Sequence, residues 1–436
     1  MAASTSAYHT EASTFAQSEW KSNNIISQAY LNHEDGLVTV NWEPSEGTVD
    51  IQNDNKRRKT SGTSSLNGTT KAASTSYPFI WLRDFCHCER CFDEASVTKK
   101  TNLQDLDLEI GIKQISVSGD GKQIMITWRD DHESLYPSPW LWCSRFHDST
   151  PDPFMDLPPE LWRSDGIPDR LRVFQFDELL TSNQALYDWM KEIKVLGLVL
   201  VKNAPEHKEA LSRLGKRVGY LKATNFGEVS SVYAPTDPKN PIYTAGNLYF
   251  HTDLTYYHQP PGIELLHCIK QFEGVGGDST LVDGFNVARQ MNEVDPEAFN
   301  VLSSNDVEFY QTGLMGPGRY FQMARNKIIR LNDNGEPMQI SYSNHSRTSI
   351  LRMPPKEVAL FYRAMKLFTD LLYHQNNIYT YKMEAGDIIV INNFRVLHGR
   401  KGFEMKKGSE RYLATAYLDW DLVYSRMRVL HRQLDI

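Results

Sequence analysis

The sequence predicts a mainly β protein with flanking helices, in which a large β-barrel or double-sheet jelly roll follows a small β-rich domain. Short strand-like runs recur along the C-terminal two thirds of the chain, only a few segments have helical spacing, and residues 26–43 alternate apolar and polar side chains. At 436 residues the chain exceeds a typical single domain. Two domains are therefore expected.

Composition narrows the classes of function. Basic and acidic residues number 47 and 54, a formal charge of −7, which argues against a nucleic-acid surface. Five cysteines are an odd number and favour a reducing compartment with a metal site over a disulfide framework. No apolar run reaches about 18 residues, and the first 20 residues lack arginine and an apolar core. We expect a cytoplasmic protein with no membrane segment.

The N-terminal part divides by composition. Residues 1–23 are predicted to be a disordered terminus, and residues 24–142 a β-rich domain. Within that domain, residues 44–76 are rich in Ser, Thr and Gly and predict a disordered surface insertion. Its basic run, 56–59, indicates solvent exposure or a nuclear address. The proline-rich residues 143–170 predict a linker.

Residues 171–436 predict the main domain. Helical spacing marks DELLTSNQALYDWMKEIKVLG, HKEALSRLGKRVGYL, NVARQMNEVDPEAFNVLSS and PPKEVALFYRAMKLFTDLLYHQ. Strand-like runs are LGLVLVKN, IELLHCIKQ, KIIRLND, QISYS, IYTYKME, DIIVINN and RYLATAYLDW. The strands outnumber the helices, which predicts a barrel or jelly roll braced by helices.

Three thiols within six residues indicate a first metal site. Cys86, Cys88 and Cys91 offer soft ligands that favour zinc, and a structural zinc site has four ligands. The candidates for the fourth ligand are His132, Cys143 and His87, of which we favour His132 because it follows the strand IMITW. The alternative is three small buried side chains without a metal.

A second metal site is predicted from His251 and Asp253. If this segment is extended, the side chains of residues i and i+2 lie on the same face and can bind one metal ion together. His398, just after another strand-like run, would complete a 2-His-1-carboxylate set, which suits non-haem Fe(II). Arg411 on the next strand could hold the distal carboxylate of a dicarboxylate cosubstrate, with the Ser279 hydroxyl as a further donor. Taken alone, His398 is also compatible with a histidine in a turn and Arg411 with a surface salt bridge, but the two together at these spacings favour the metal site.

From Trp81 to the C-terminus the chain resembles a known family. His251, Asp253, Ser279, His398 and Arg411, with the runs YTAG, PPGIELLHCIKQ, GGDS, VDGFNV, LHGR and YLDWD, are similar to the iron- and 2-oxoglutarate-dependent oxygenases of the taurine dioxygenase superfamily. The closer likeness is to the γ-butyrobetaine hydroxylase family, with trimethyllysine dioxygenases as the next relatives.

The resemblance implies a fold, cofactors and an assembly. It implies a double-stranded β-helix catalytic domain behind a zinc-binding β domain, with LRDFCHCERC and TWRDDH supplying Cys86, Cys88, Cys91 and His132. It also implies Fe(II), 2-oxoglutarate, Zn(II), ascorbate as reductant and a homodimer. The implied reaction uses O2 to hydroxylate an unactivated C–H and releases succinate and CO2.

The substrate residues that the resemblance implies match the family only in part. A trimethylammonium group is expected in an aromatic cage. Tyr243 and Tyr417 occupy cage positions, whereas Phe226 replaces a Tyr, Ser230 a Trp and Leu254 a Tyr. Further positions complete the implied pocket: Asn240, a pocket asparagine assigned with Arg411 and Ser279 to the cosubstrate; Ser343 and Asn344 for the substrate carboxylate; and Tyr233, Tyr256 and Tyr257 as neighbouring rings.

Three functions are compatible with these observations. The first is hydroxylation of γ-butyrobetaine to L-carnitine, which Tyr243 and Tyr417 favour. The second is hydroxylation, desaturation or epoxidation of trimethyllysine, an amino-acid derivative or a specialised metabolite, which Ser230 and Leu254 favour. The third, of another class, is a zinc-module scaffold without catalysis.

Overall fold

In the computed structural model of the chain, the structure describes residues 24–43, 74–146, 154–233, 246–315, 318–405 and 410–435. The chain divides into two compact units, Met1–Pro151 and Asp152–Ile436. The predicted disordered terminus and almost all of the 44–76 insertion lie outside the described residues. None of the described helices is both long and apolar enough to cross a bilayer.

The first unit contains small antiparallel sheets. Its strands are β1 (Ile26–Asn32), β2 (Leu37–Trp42), β3 (Ser74–Pro78), β4 (Phe92–Asp93), β5 (Thr98–Lys99), β6 (Ile112–Val117), β7 (Gln123–Trp128) and β8 (Glu133–Pro137), and its helices are α1 (Phe79–Asp84) and α2 (Ser138–Cys143). The sheets are ordered β1-β2-β3, β6-β7-β8 and β4-β5. In β7, Ile124, Ile126 and Trp128 alternate into the core, as one buried face of a sheet requires.

The second unit begins with helices that brace its sheets. The helices are α3 (Ile167–Arg170), α4 (Phe176–Thr181), α5 (Asn183–Val195), α6 (Glu209–Val218), α7 (Gly284–Val294), α8 (Pro296–Ser304), α9 (Pro355–Leu372) and α10 (Trp420–Leu434). Side-chain caps mark several N-termini: Ser182 accepts from Ala185 N, and Asp295 accepts from Ala298 N ahead of Pro296. Phe154 and Trp162, within the predicted linker, are buried in this unit.

Sixteen strands of the second unit are described. They are β9 (Val173–Gln175), β10 (Leu198–Lys202), β11 (Val229–Tyr233), β12 (Leu248–His251), β13 (Ile263–Lys270), β14 (Gly274–Gly276), β15 (Ser279–Asp283), β16 (Asp306–Met315), β17 (Gly318–Lys327), β18 (Ile329–Leu331), β19 (Pro337–Ile340), β20 (Tyr379–Tyr381), β21 (Ile388–Asn392), β22 (Val396–Arg400), β23 (Phe403–Met405) and β24 (Tyr412–Leu418). The larger sheet is ordered β11-β24-β13-β21-β10-β9 and the smaller β12-β22-β15-β20; the remaining strands form three two-stranded sheets, β14-β23, β16-β17 and β18-β19.

The two larger sheets face one another. Ile389 and Ile391 of the six-stranded sheet share a buried cluster with Leu281 and Val396 of the four-stranded sheet. Helices α5, α6 and α10 cover the outer face of the larger sheet, and α7, α8 and α9 cover the smaller one. The prediction of a jelly-roll domain with flanking helices is confirmed.

One buried ion pair joins the layers. The Arg395 guanidinium donates to both oxygens of Asp283, at 2.9 and 2.8 Å, and neither side chain is exposed. Asp283 also caps α7 by accepting from the amides of Phe285 and Asn286, and it accepts from Trp162 N. This carboxylate is therefore fully hydrogen-bonded, as a buried charge must be.

Candidate active site and metal centres

The first unit brings the three predicted thiols and His132 together. The sulfur atoms of Cys86, Cys88 and Cys91 lie 3.3, 3.5 and 3.7 Å from His132 Nε2. A tetrahedral zinc with bonds of about 2.3 Å to sulfur and about 2.05 Å to nitrogen requires S···N separations of about 3.5 Å. The four donors therefore fit a closed zinc site without rearrangement.

Neighbouring donors would support thiolate ligands. Ser134 Oγ donates to Cys86 Sγ at 3.0 Å and is itself held by Trp128 Nε1 at 2.8 Å. Arg83 Nη1 donates to Cys91 Sγ at 3.6 Å. The other two candidates for the fourth ligand, His87 and Cys143, lie outside this cluster. Hydrogen bonds to the sulfurs and a nearby cation offset the negative charge that several thiolates carry.

In the second unit, strand pairing brings the iron-site residues together. His251 in β12 lies directly opposite His398 in β22, with ring centroids 4.3 Å apart. Asp253 Oδ1 lies 3.4 Å from His251 Nε2 and 3.9 Å from His398 Nε2. The three side chains converge on one point, because His251 ends β12 opposite its cross-strand partner His398 and Asp253 lies at the start of the turn that follows β12.

The local chain conformation is fixed around these donors. His251 Nδ1 contacts the Tyr249 carbonyl at 2.9 Å, which leaves Nε2 to face the shared point. Asn393 accepts from Asp253 N at 2.7 Å and donates to its carbonyl at 3.1 Å. The next residue, Leu254, has a φ of 55°, a left-handed conformation that a bulky residue rarely adopts.

The electrostatics of the three residues suit a cation. Burial lowers the pKa of His398 to about 3, with His251 contributing, so its imidazole is neutral at physiological pH. Burial alone would raise the pKa of Asp253, but its contacts with His251, His398 and Tyr417 hold that pKa below its usual range. Tyr417 Oη also donates to Asp253 Oδ2 at 2.7 Å. Two imidazoles and one carboxylate are the donor set expected for Fe(II).

A pocket opens from this point between the two sheets. Arg411, which is 7% exposed and lies next to β24, lines the pocket together with Ser279 at the start of β15. The Nε of Arg411 has no hydrogen-bond partner among the residues that the structure describes. Burial lowers the pKa of Arg411, a cost that an anionic ligand would offset. A buried guanidinium whose Nε–H has no partner among the described residues fits a carboxylate.

Some of the predicted substrate residues line the pocket, and others lie outside the described residues. Phe226, Ser230, Leu254, Ser343 and Tyr417 line the pocket. Tyr243 and Asn240 lie outside the described residues, as does the side chain of Tyr233.

Two predicted positions do not face the pocket. Asn344 is exposed and accepts a hydrogen bond from Arg347 at 3.4 Å, because it lies in the turn that follows the buried Ser343. The Tyr257 hydroxyl donates to Asn225 Oδ1 at 2.6 Å instead of lining the cavity, whereas Tyr256 does line it.

Several pocket residues were not predicted from the sequence. His345 lies with its ring 5.2 Å from that of His251, and Gln311 reaches the pocket from hairpin β16-β17. Thr255, Ser346, Ser343 and His345 form a chain of polar contacts along one wall, with steps of 3.1, 2.7 and 3.3 Å. Glu264 of β13 is also in the wall. Their residue types alone carry no signal, because the chemistry arises from their position around one cavity.

Comparison with known proteins agrees with this geometry. Residues 159–417 match the taurine catabolism dioxygenase TauD, TfdA family, and residues 66–142 match a γ-butyrobetaine hydroxylase-like N-terminal domain. The γ-butyrobetaine dioxygenase of Homo sapiens is 37% identical over 363 residues, which covers 82% of this chain and 92% of that protein. The mitochondrial trimethyllysine dioxygenase of Rattus norvegicus is 29% identical over 356 residues, 81% of this chain and 82% of that protein. A solved structure of the non-haem iron oxygenase OrfP with Fe and α-ketoglutaric acid is 14% identical with a TM-score of 0.43, and the match covers 61% of this chain and 88% of that one.

Proposed function

This chain belongs to the taurine catabolism dioxygenase TauD, TfdA family, and from that premise we propose that it hydroxylates γ-butyrobetaine to L-carnitine. The class of enzyme is an iron- and 2-oxoglutarate-dependent dioxygenase. The observation that carries the proposal is the convergence of His251, Asp253 and His398 in the pocket that also holds Arg411. The substrate is inferred from the 37% identical γ-butyrobetaine dioxygenase.

Iron would be held by His251 Nε2, a carboxylate oxygen of Asp253 and His398 Nε2. When bound, the metal with 2-oxoglutarate and O2 supplies the oxidising power to hydroxylate an unactivated C–H. The protein contributes position and shielding. The Tyr249 carbonyl orients one imidazole, the Tyr417 hydroxyl orients the carboxylate, and the walls of the two sheets exclude bulk water.

The cosubstrate end of the pocket is assigned to Arg411 and Ser279. A forked guanidinium and a hydroxyl can make three charge-assisted hydrogen bonds to one carboxylate. Asn240 remains a predicted contributor. The two ends of 2-oxoglutarate would then be fixed by the metal and by Arg411, which defines how the substrate must approach.

The substrate end combines ring faces with hydroxyl groups. Phe226, Tyr256 and Tyr417 line the pocket and present π faces to a cation, with Tyr243 as a fourth predicted ring. Ser343 would meet the substrate carboxylate.

A second candidate substrate class is favoured by two of the same positions. Ser230 and Leu254 line the pocket where the related hydroxylases are expected to have aromatic rings. Fewer rings weaken cation–π attraction by about 0.5–2 kcal/mol each. Trimethyllysine, an amino-acid derivative or a specialised metabolite is the alternative, with hydroxylation, desaturation or epoxidation as the outcome.

The remaining assignments complete the proposal. Cys86, Cys88, Cys91 and His132 hold a structural zinc, which the S···N separations support. The enzyme is a cytoplasmic homodimer, uses ascorbate to keep its iron reduced, and has separate zinc-binding (24–142) and catalytic (171–436) domains joined by the 143–170 linker.

A substrate panel tests the proposed function. Succinate formation is measured with Fe(II), 2-oxoglutarate and ascorbate in the presence of γ-butyrobetaine, trimethyllysine, their non-methylated analogues or no substrate. We expect turnover coupled to γ-butyrobetaine that His251→Ala and His398→Ala abolish. If every betaine fails while background turnover persists, the second substrate class replaces the first. If Ser230→Trp with Leu254→Tyr then gains betaine turnover, the reduced cage is the cause.

A further inference from the structure

Glu264 is a buried acid in the wall of the active-site pocket. It lies in β13 between β21 and β24, opposite Ile391 and Tyr417, and is 3% exposed. A carboxyl group taken out of water is costly unless it has a partner. Its position in the core therefore requires a reason.

Glu264 differs from the other buried acids of the described residues. Four of them lie within 4 Å of an Arg or Lys: Glu192 with Arg170, Asp283 with Arg395, Glu308 with Arg325 and Asp387 with Lys202. Glu264 has instead a histidine neighbour, His398, whose Nδ1 lies 3.5 Å from Glu264 Oε2. The two buried atoms are too far apart for a close hydrogen bond with each other, and neither has a hydrogen-bond partner elsewhere in the described part of the chain.

Each of the two imidazoles of the iron site needs a hydrogen-bond acceptor for the ring nitrogen that does not face the metal. A neutral histidine that offers Nε2 to a metal carries its proton on Nδ1, and that N–H needs an acceptor. For His251 the acceptor is the Tyr249 carbonyl, 2.9 Å from Nδ1. For His398 the atom in the equivalent position is Glu264 Oε2.

We propose that Glu264 is a positioning residue that accepts the Nδ1–H of His398, fixing its tautomer and ring plane so that Nε2 faces the metal. The inference rests on the iron site proposed above. A carboxyl oxygen accepts this bond whether or not the other oxygen is protonated, so the role does not depend on the charge of Glu264. Acceptors behind metal-bound histidines raise metal affinity by about 10–100-fold.

Two substitutions of similar size separate positioning from packing. Glu264→Gln keeps an acceptor oxygen, whereas Glu264→Leu fills the space without one. Affinity for Co(II) and Fe(II) is measured anaerobically by competition with a chelator. We expect about 10–100-fold weaker binding for the Leu variant and wild-type binding for the Gln variant.

Glu192→Leu is the matched control. It removes a buried acid that pairs with Arg170 away from the pocket, so it should lower stability and leave metal affinity unchanged. Wild-type affinity in a folded Glu264→Leu variant would overturn the inference. If the wild-type protein binds neither metal, the result contradicts the proposed iron site itself and not only the role of Glu264.

A spectroscopic measurement covers the case in which the Leu variant does not fold. Proton NMR of the Co(II)-loaded wild-type protein should show two paramagnetically shifted, exchangeable signals, one for each ligand Nδ1–H, and both should exchange slowly because each proton is hydrogen-bonded and buried. In the Gln variant only the His398 signal should move. A single signal in the wild type, or a Gln variant with an unchanged spectrum, would contradict the role of Glu264.

Discussion

Arg411→Leu tests how the pocket selects its cosubstrate. Arg411 is 7% exposed, and its Nε has no partner among the described residues, so a carboxylate that binds there satisfies a buried charge. Hydrogen bonds between charged groups contribute about 1.5–3 kcal/mol each. Loss of two such hydrogen bonds weakens the binding of 2-oxoglutarate, and removal of the buried cation offsets part of that loss. The net loss of binding free energy should be about 3–4 kcal/mol, which raises the Kd for 2-oxoglutarate roughly 10²–10³-fold.

The assay compares two ligands that differ in one carboxylate. Binding of 2-oxoglutarate and of 2-oxovalerate to the anaerobic Fe(II) protein is followed by the visible charge-transfer absorption of the complex. The wild type should strongly prefer 2-oxoglutarate, and Arg411→Leu should lose that preference. Arg411→Lys should retain part of it, because an ammonium is a point charge without the fork. If the preference survives in Arg411→Leu, the carboxylate binds elsewhere and the assignment is refuted.

Three further predictions concern stability. Arg395→Met leaves Asp283 buried and unpaired, so the free energy of unfolding in urea should fall by about 3–5 kcal/mol; an unchanged midpoint would contradict the role of the pair. Burial lowers the pKa of His267 to about 4, with His207 contributing. The unfolded state therefore binds the extra proton first, and stability should fall by about 1.4 kcal/mol per pH unit from about pH 6.5 to pH 4, whereas His267→Phe should flatten that slope. Cys88→Ser should lose zinc by metal analysis and lower the melting temperature while kcat changes less; retention of full zinc content would exclude Cys88 as a ligand.

The sequence predicted the architecture because strand and helix periodicities survive in the folded chain. DIIVINN predicted a strand, and β21 is a strand that is buried along its whole length between β13 and β10. The hairpin β16-β17 was not predicted. Its apolar residues Leu314 and Phe321 are 74% and 68% exposed, so their alternation does not mark a core face.

The candidate site could be predicted only where residue type and spacing carry the chemistry. His251 and Asp253 are two apart, and the pairing of His251 with His398 depends on the register of β12 against β22, which no local pattern reveals. Glu264 belongs to a strand-like run, and only the fold places it behind His398. Asn344 was expected in the pocket from the family resemblance, but it lies in a turn that leaves its side chain exposed.

The most direct test of the proposed function uses labelled oxygen. The protein is incubated with γ-butyrobetaine, 2-oxoglutarate, Fe(II), ascorbate and ¹⁸O2, and the products are analysed by mass spectrometry against an Asp253→Ala control. We expect L-carnitine with one ¹⁸O atom, one labelled succinate for each carnitine formed, and neither product from the control. Labelled succinate without any carnitine would contradict γ-butyrobetaine as the substrate, and the absence of labelled succinate with every substrate of the panel would contradict the oxygenase site itself.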